Sequence, residues 1–339
     1  MHCTDSYFCK NGDCMAEKIA EDLWQLSIPL KGNPLKNLNS YLIVGERSLL
    51  IDTGFRWDSC RLAMERELSV TGVNRDKMDI FITHFHSDHA GLTPDLLHPG
   101  CHAYIGRIDG ENLIDYMADT TWKRVYAGYV KEGFPQGEID CLWNANPAQS
   151  AAPTPWNGYT YIDDGDMLSY GEHTLQCILT PGHTPGHLCL YDKDKQWLFS
   201  GDHILFHITP NICRWETMPD ALGSYLESLN RVRNLPVKLL LPAHRSVSDT
   251  LANRVDSLAA HHRQRIEAVR NIVQNAPGLT AYEITAQMRW NIHSRSWSEF
   301  PLIQKYFAVG EALAHLDYLS VREQLKCREV CGEKRYYVQ

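Results

Sequence analysis

A chain of 339 residues can bury a large core and is too long for one ordinary globular domain. Its 44% hydrophobic and 22% charged content is the usual soluble mixture, which excludes disordered and fibrous classes. A net charge of −8 argues against a protein that grips nucleic acid or an anionic membrane along its whole face.

Residues 1–20 form an N-terminal extension without the apolar core of a signal peptide. No apolar run approaches the ~18–20 residues of a membrane span, so the sequence reads as cytoplasmic, with no membrane partner. The extension carries Cys3, Cys9 and Cys14, whose spacing matches no zinc pattern. They read as peripheral reduced thiols, as do Cys327 and Cys331. Cys177 and Cys189 lie in apolar strand-like runs and read as small buried hydrophobes.

A first unit spans 21–250. Leu23–Ile28, Tyr41–Val44, Leu49–Ile51 and Asp79–Thr83 are predicted strands, with a helix over Cys60–Leu68. The rhythm breaks over Arg107–Gly158, which holds Trp122, Tyr126, Tyr129, Phe134, Trp143 and Trp156 and a Pro-rich stretch at Asn146–Trp156. That pattern predicts a helical insertion followed by an irregular loop. An insertion of this length is functional or folds as its own unit. Its aromatics are candidates to roof a site and hold an apolar acyl group. Strands return at Thr174–Leu179, Trp197–Phe199 and Lys238–Leu241.

After Ser246 the pattern turns helical. Thr250–Asn275 reads as one helix, Thr280 and Glu283 form a capping box that starts a second, and Gly310–Leu325 reads as a third. Val330–Val338 reads as a hairpin turning at Gly332. Residues 251–339 therefore read as a winged-helix-like unit.

The chemistry sits where strands end. Phe81-Ile82-Thr83 runs straight into His84-Phe85-His86-Ser87-Asp88-His89, so metal-competent side chains crowd a loop rather than the i, i+4 face of a helix. Three later runs end the same way, in Pro181-Gly182-His183, Gly201-Asp202 and Pro242-Ala243-His244. Ligands at the carboxyl ends of several strands converge on one edge of a rigid scaffold. Imidazole-rich sites with carboxylates suit zinc first, with iron or manganese as alternatives.

Across residues 20–246 the chain resembles the metallo-β-lactamase superfamily, nearest its glyoxalase II-like branch. The motifs that carry the likeness are Asp52-Thr53-Gly54, His84–His89, Pro181–His187, Gly201-Asp202 and Pro242–His244. The resemblance implies an α/β fold, the αββα sandwich, with two divalent metal ions per chain at its edge. By the same resemblance His84, His86 and His183 hold one ion, Asp88, His89 and His244 hold the other, and Asp202 bridges both. Asp52 would orient a ligand. Asp88 and Asp202 are the candidate catalytic residues, Asp88 as a proton shuttle. His187, His203 and His207 are candidates for support or substrate contact. The activity implied is hydrolysis of a small ester, thioester or lactone by a hydroxide generated between the ions.

Departures from family patterns bear on the alternatives. The flavo-diiron branch has a carboxylate where His86 stands, and the lactonases have a Tyr where Leu205 stands. A sulfur dioxygenase with a single iron would leave the second ligand set without a purpose. The basic glutathione-binding residues of glyoxalase II find no counterpart in the tail. An endoribonuclease of the same fold is the main alternative, because the tail resembles those of such enzymes. Its charge of +3, against −11 for the rest, is weak for phosphate contacts. A binding protein that keeps its metals without catalysis is a further reading. A small molecule is thus the expected partner, and a homo-oligomer is compatible with the sequence.

Overall fold

Short runs rich in Leu, Ile and Tyr, cut by Gly, Asn and Asp turns, build two sheets that face one another. The computed structural model describes residues 16–116, 118–146, 151–154, 156–290 and 296–339. Cys3, Cys9 and Cys14 lie outside the described residues.

The first sheet contains β1 (Glu17–Lys18), β2 (Leu23–Pro29), β3 (Asn37–Ile43), β4 (Ser48–Ile51), β5 (Met78–Ile82), β6 (Ala103–Gly106) and β7 (Tyr159–Ile162), in that spatial order. It is antiparallel from β1 to β4 and parallel from β4 to β7. The second contains β8 (Met167–Tyr170), β9 (His173–Leu179), β10 (Leu188–Asp192), β11 (Trp197–Gly201) and β12 (Leu239–Pro242), with β11 and β12 parallel. β4, β5 and β10 are buried along their whole length, as expected for strands covered on both faces.

Between the sheets, Leu23, Tyr41, Ile43, Leu49, Ile51 and Phe81 meet Leu175, Cys177, Leu188, Leu190, Phe199 and Leu241. Outside the first sheet lies α1 (Asp58–Thr71), which buries Cys60, Met64 and Leu68 against it. Outside the second lies α7 (Ala221–Val232) over Cys189, Tyr191 and Leu198. Helix, sheet, sheet, helix is the expected layering. Cys177 and Cys189 are both buried, on opposite faces of the second sheet.

The loop after β5 carries α2 (Ser87–Ala90) and α3 (Thr93–Leu96). The insertion is helical as expected: α4 (Arg107–Tyr116), α5 (Asp119–Lys131) and α6 (Gln136–Ala145). Most of its large aromatics, however, are spent elsewhere than on a roof. Trp122, Tyr126, Tyr129 and Phe134 join one core with the C-terminal helices α8 (Leu251–Asn275), α9 (Ala281–Gln287) and α10 (Leu302–Val321). Tyr129 stacks on Tyr306 at 4.6 Å between ring centres, and Phe134 meets Tyr282 edge-on at 5.1 Å. Burying these rings joins insertion to tail.

The tail ends in the hairpin β13 (Leu325–Val330) and β14 (Glu333–Val338), turning at Gly332 with φ 84°. The third helix departs from expectation: it spans Leu302–Val321, not Gly310–Leu325. Gly310 lies in its interior, because a β-carbon there would fall 2.6 Å from the Tyr129 hydroxyl and 2.9 Å from Cys213 Sγ. Glu323, in a left-handed conformation at φ 55°, closes the helix before the hairpin. Among the described residues no helix is long and apolar enough to cross a membrane.

An ion network pins the loop after β11 to the tail. Arg214 bonds both oxygens of Asp317 on α10 at 2.5 Å and also reaches Glu132 beyond α5. The Tyr336 hydroxyl donates to Glu132 at 2.8 Å, and Lys334 joins at 3.1 Å. Removing one member of a buried ion pair strands the other charge. Arg214→Met is expected to cost about 3 kcal/mol of unfolding free energy, read from the urea midpoint; an unchanged midpoint would remove this strut.

Candidate metal centre

Four strands end at one edge of the sandwich. β5 gives way at Thr83 to His84 and His86, and Asp88 and His89 follow in the first turn of α2. β9 is followed by His183, β11 by Asp202 and β12 by His244. The seven expected donors therefore come together, four from the first sheet and three from the second.

Their atoms fall into two adjacent pockets. In the first, His84 Nε2, His86 Nδ1 and His183 Nε2 lie 3.0–3.2 Å from one another. Nitrogens around a tetrahedral zinc at ~2.0–2.1 Å would lie about 3.3 Å apart. In the second, Asp88, His89 and His244 group together. Asp202 faces both. Its Oδ2 is 3.6 Å from His183 Nε2, and its Oδ1 is 3.7 Å from His89 Nε2 and 3.5 Å from His244 Nε2.

The outer nitrogens of His84, His89, His183 and His244 are occupied, which turns the inner ones toward the pockets. Thr83 Oγ1 donates to Asp52 and sits 3.0 Å from His84 Nδ1. His89 Nδ1 lies 2.8 Å from Asp52 Oδ2, His183 Nδ1 2.8 Å from the Asn211 carbonyl and His244 Nδ1 2.8 Å from the Asn37 carbonyl. What remains is a set of buried atoms without partners: His89 Nε2, His244 Nε2 and Asp202 Oδ1. Buried polar atoms are normally satisfied. Orphans gathered in the second pocket, beside a first pocket where three imidazole nitrogens face only one another, fit divalent cations.

The electrostatics differ between pockets. Burial, reinforced by neighbouring imidazoles, holds His84 and His86 well below the usual histidine range, and burial lowers His183 too. Burial also disfavours charge on His89 and His244, but the carboxylates around them outweigh it. His89 is raised to about 10 by Asp52, Asp88 and Asp202, and His244 is raised by Asp202 and Asp88. Asp88 is held below the usual carboxylate range, because His89 and His244 overcome its burial. The second pocket thus balances carboxylate charge with protons that a cation would displace.

The remaining expected residues have distinct placements. Asp52 ties Thr83 to His89, as described. His187 is fully buried. Its Nδ1 lies 2.8 Å from Thr180 Oγ1, and its Nε2 accepts from the Asp202 amide at 3.2 Å, so it backs Asp202 rather than facing a cleft. His203 is also fully buried, next to Tyr225, and burial pushes it down to about 3. His207 is exposed on a left-handed turn at φ 63°.

Sequence reasoning missed two features. One is an aromatic wall: Trp215 lies 6.0 Å from the His86 ring and 5.4 Å from Phe85, with Tyr116 at 5.8 Å. The Trp215 indole N–H donates to the His183 carbonyl at 3.2 Å, which fixes the ring. The other is Asp109 at the start of α4. It is fully buried, and its carboxyl is pushed up to about 7 by that burial against three hydrogen bonds. The glycines at 106 and 110, on either side of Asp109 where a strand passes straight into a helix, were the available signal for it.

The sequence profile described as the Metallo-beta-lactamase superfamily matches residues 34–244. The chain is 26% identical over 250 residues to the lactamase-like protein nscB of Aspergillus fumigatus, covering 72% of this chain and 60% of that protein. It is 26% identical over 255 residues to the beta-lactamase-like protein 2 homolog of Caenorhabditis elegans, covering 75% and 71%. It is also 26% identical over 257 residues to an atrochrysone carboxyl ACP thioesterase of A. fumigatus, covering 72% and 64%. The chain thus spans less than two thirds of the length of two of these three relatives. Among solved structures, a metallo-beta-lactamase family protein of Thermus thermophilus superposes with a TM-score of 0.79 at 24% identity, covering 95% of this chain and all of that one. A beta-lactamase domain protein of Burkholderia ambifaria superposes with 0.80 at 24%, covering 96% and 94%. With the fold, the layering and the profile match in agreement, the chain belongs to the metallo-beta-lactamase superfamily.

Proposed function

We propose that the protein is a metal-dependent hydrolase of the glyoxalase II-like kind, acting on a small acyl thioester, ester or lactone. The observation that carries this reading is the convergence of His84, His86 and His183 in one buried pocket and of Asp88, His89 and His244 in another, with the two oxygens of Asp202 facing both. His84, His86 and His183 would hold one ion, Asp88, His89 and His244 the other, with Asp202 reaching both; zinc suits this donor set best. Divalent ions bound there would supply an activated water and polarise the substrate's carbonyl oxygen.

The chain's own residues do the rest. Asp88, in the second pocket beside His89 and His244, is placed to take up a proton and return it to the leaving group. Phe85, Tyr116 and Trp215 offer an apolar wall beside His86, suited to a flat or apolar acyl group. The thioesterase among the relatives supports a thioester. Residues 251–339, three helices and a hairpin, act as a winged-helix-like unit that braces the Trp215 loop through Arg214.

The test is a panel of benzoyl and acetyl thioesters, lactones and a single-stranded RNA, run with and without a chelator. Thioester turnover is expected, with the benzoyl substrate preferred by about tenfold and activity lost to the chelator. Cleavage of RNA alone would overturn the proposal in favour of the nuclease.

A further inference from the structure

One carboxylate links both sheets' donor loops, and it belongs to neither. Asp109 sits in the first turn of α4, fully buried, with no cationic side chain bonded to it among the described residues. Its Oδ2 accepts from the Phe85 amide at 3.1 Å and from Thr184 Oγ1 at 2.6 Å. Its Oδ1 accepts from the Gly186 amide at 2.6 Å. Phe85 lies between His84 and His86, Thr184 directly follows His183, and Gly186 directly precedes His187.

The fit is close. A β-carbon on residue 186 would stand 2.4 Å from the Asp109 amide nitrogen and 2.8 Å from Oδ1, so only glycine lets the loop come this near. The Gly182 amide donates to the Thr184 carbonyl at 3.0 Å, which closes the His183 loop on itself. Three donors demand an acceptor-only group; an amide would turn its NH2 toward one of them.

We infer that Asp109 is a positioning residue that fixes the spacing between the His84–His86 turn and the His183 loop, and so preforms the three-nitrogen pocket. Metal sites need their donors held within about 0.5 Å, and here the nitrogens come from two different sheets. A link through the loop backbones and Thr184 does this without occupying any donor atom. The inference rests on the ligand assignment proposed above but not on the substrate.

The test is competition between the metal-free protein and a chromophoric chelator for Zn2+, with Co2+ spectra as a second readout. Asp109→Asn is expected to weaken one binding step by about 10–100-fold and to shift the Co2+ bands, while the far-ultraviolet circular dichroism is unchanged. Thr184→Val is expected to weaken the same step by less. Asp192→Asn, which loses a buried carboxylate paired with His173 at 2.6 Å, is expected to lower stability without altering Zn2+ affinity. Wild-type Zn2+ affinity in Asp109→Asn overturns the positioning role, whatever its stability. If that variant does not fold, unchanged affinity in Thr184→Val overturns it instead. A wild-type protein that binds no Zn2+ would overturn the ligand assignment itself.

Discussion

Asp202→Ala is expected to reduce hydrolysis by a thousandfold or more, about 4 kcal/mol of transition-state stabilisation, and to impair binding at both pockets. Asp202 is the side chain whose two oxygens face both nitrogen groups, at 3.5–3.7 Å from His183, His89 and His244. Without it each pocket keeps only its own donors and the two lose their shared anion. His183→Ala should behave differently, because Asp88, His89 and His244 remain grouped. It should retain one ion of the about two expected per wild-type chain. Metal analysis after full reconstitution separates the cases. One ion in the fully loaded wild type would sink the dinuclear assignment.

The second large effect concerns acid. Stability is expected to fall by about 3 kcal/mol between pH 6.5 and pH 5 from two histidines remote from the metal centre. His262 on α8 and His315 on α10 are fully buried, with His262 Nδ1 3.3 Å from His315 Nε2. Burial, and then the opposing His315, hold His262 well below the usual range; burial holds His315 at about 3. Around them stand His261, Arg265 and Arg254 on α8, Glu311 on α10 and Tyr225 on α7, so cations outnumber the one carboxylate. In the unfolded chain both titrate near pH 6.5 and accept protons that the folded protein excludes. Their contribution is therefore complete about one pH unit above 6.5 and declines by up to about 1.4 kcal/mol per pH unit per histidine below it. Urea midpoints of metal-free protein at pH 7 and pH 5 read this slope. His315→Gln should reduce the loss between pH 7 and pH 5 by about 2 kcal/mol; an unaltered slope would show that this pair does not carry it.

The donors were legible in the sequence because the signal is local: a dense histidine run where a strand ends, then single donors behind Gly or Pro turns. Asp109 was not, because its partners lie 24, 75 and 77 residues away and only the folded chain makes it a hub. The short β6 and the wholly buried β10 show no alternation to read, which is why they were not singled out. The insertion's helices were readable from composition. The direction its rings face was not, since Tyr129 and Phe134 find their partners in α10 and α9, far along the chain. Gly310 stands at the expected start of the third helix but in the interior of the actual one, where it serves close packing.

Every strand of the first sheet precedes every strand of the second in the chain. During synthesis, then, His84, His86, Asp88 and His89 leave the ribosome on a sheet that lacks its counterpart. His183 follows only after the whole insertion, and His244 only with the end of β12. A full donor set cannot exist until the second sheet has docked, so a growing chain offers only partial chelation. Ion capture belongs to the close of folding, and by mass action it would hold the two halves together once they have met.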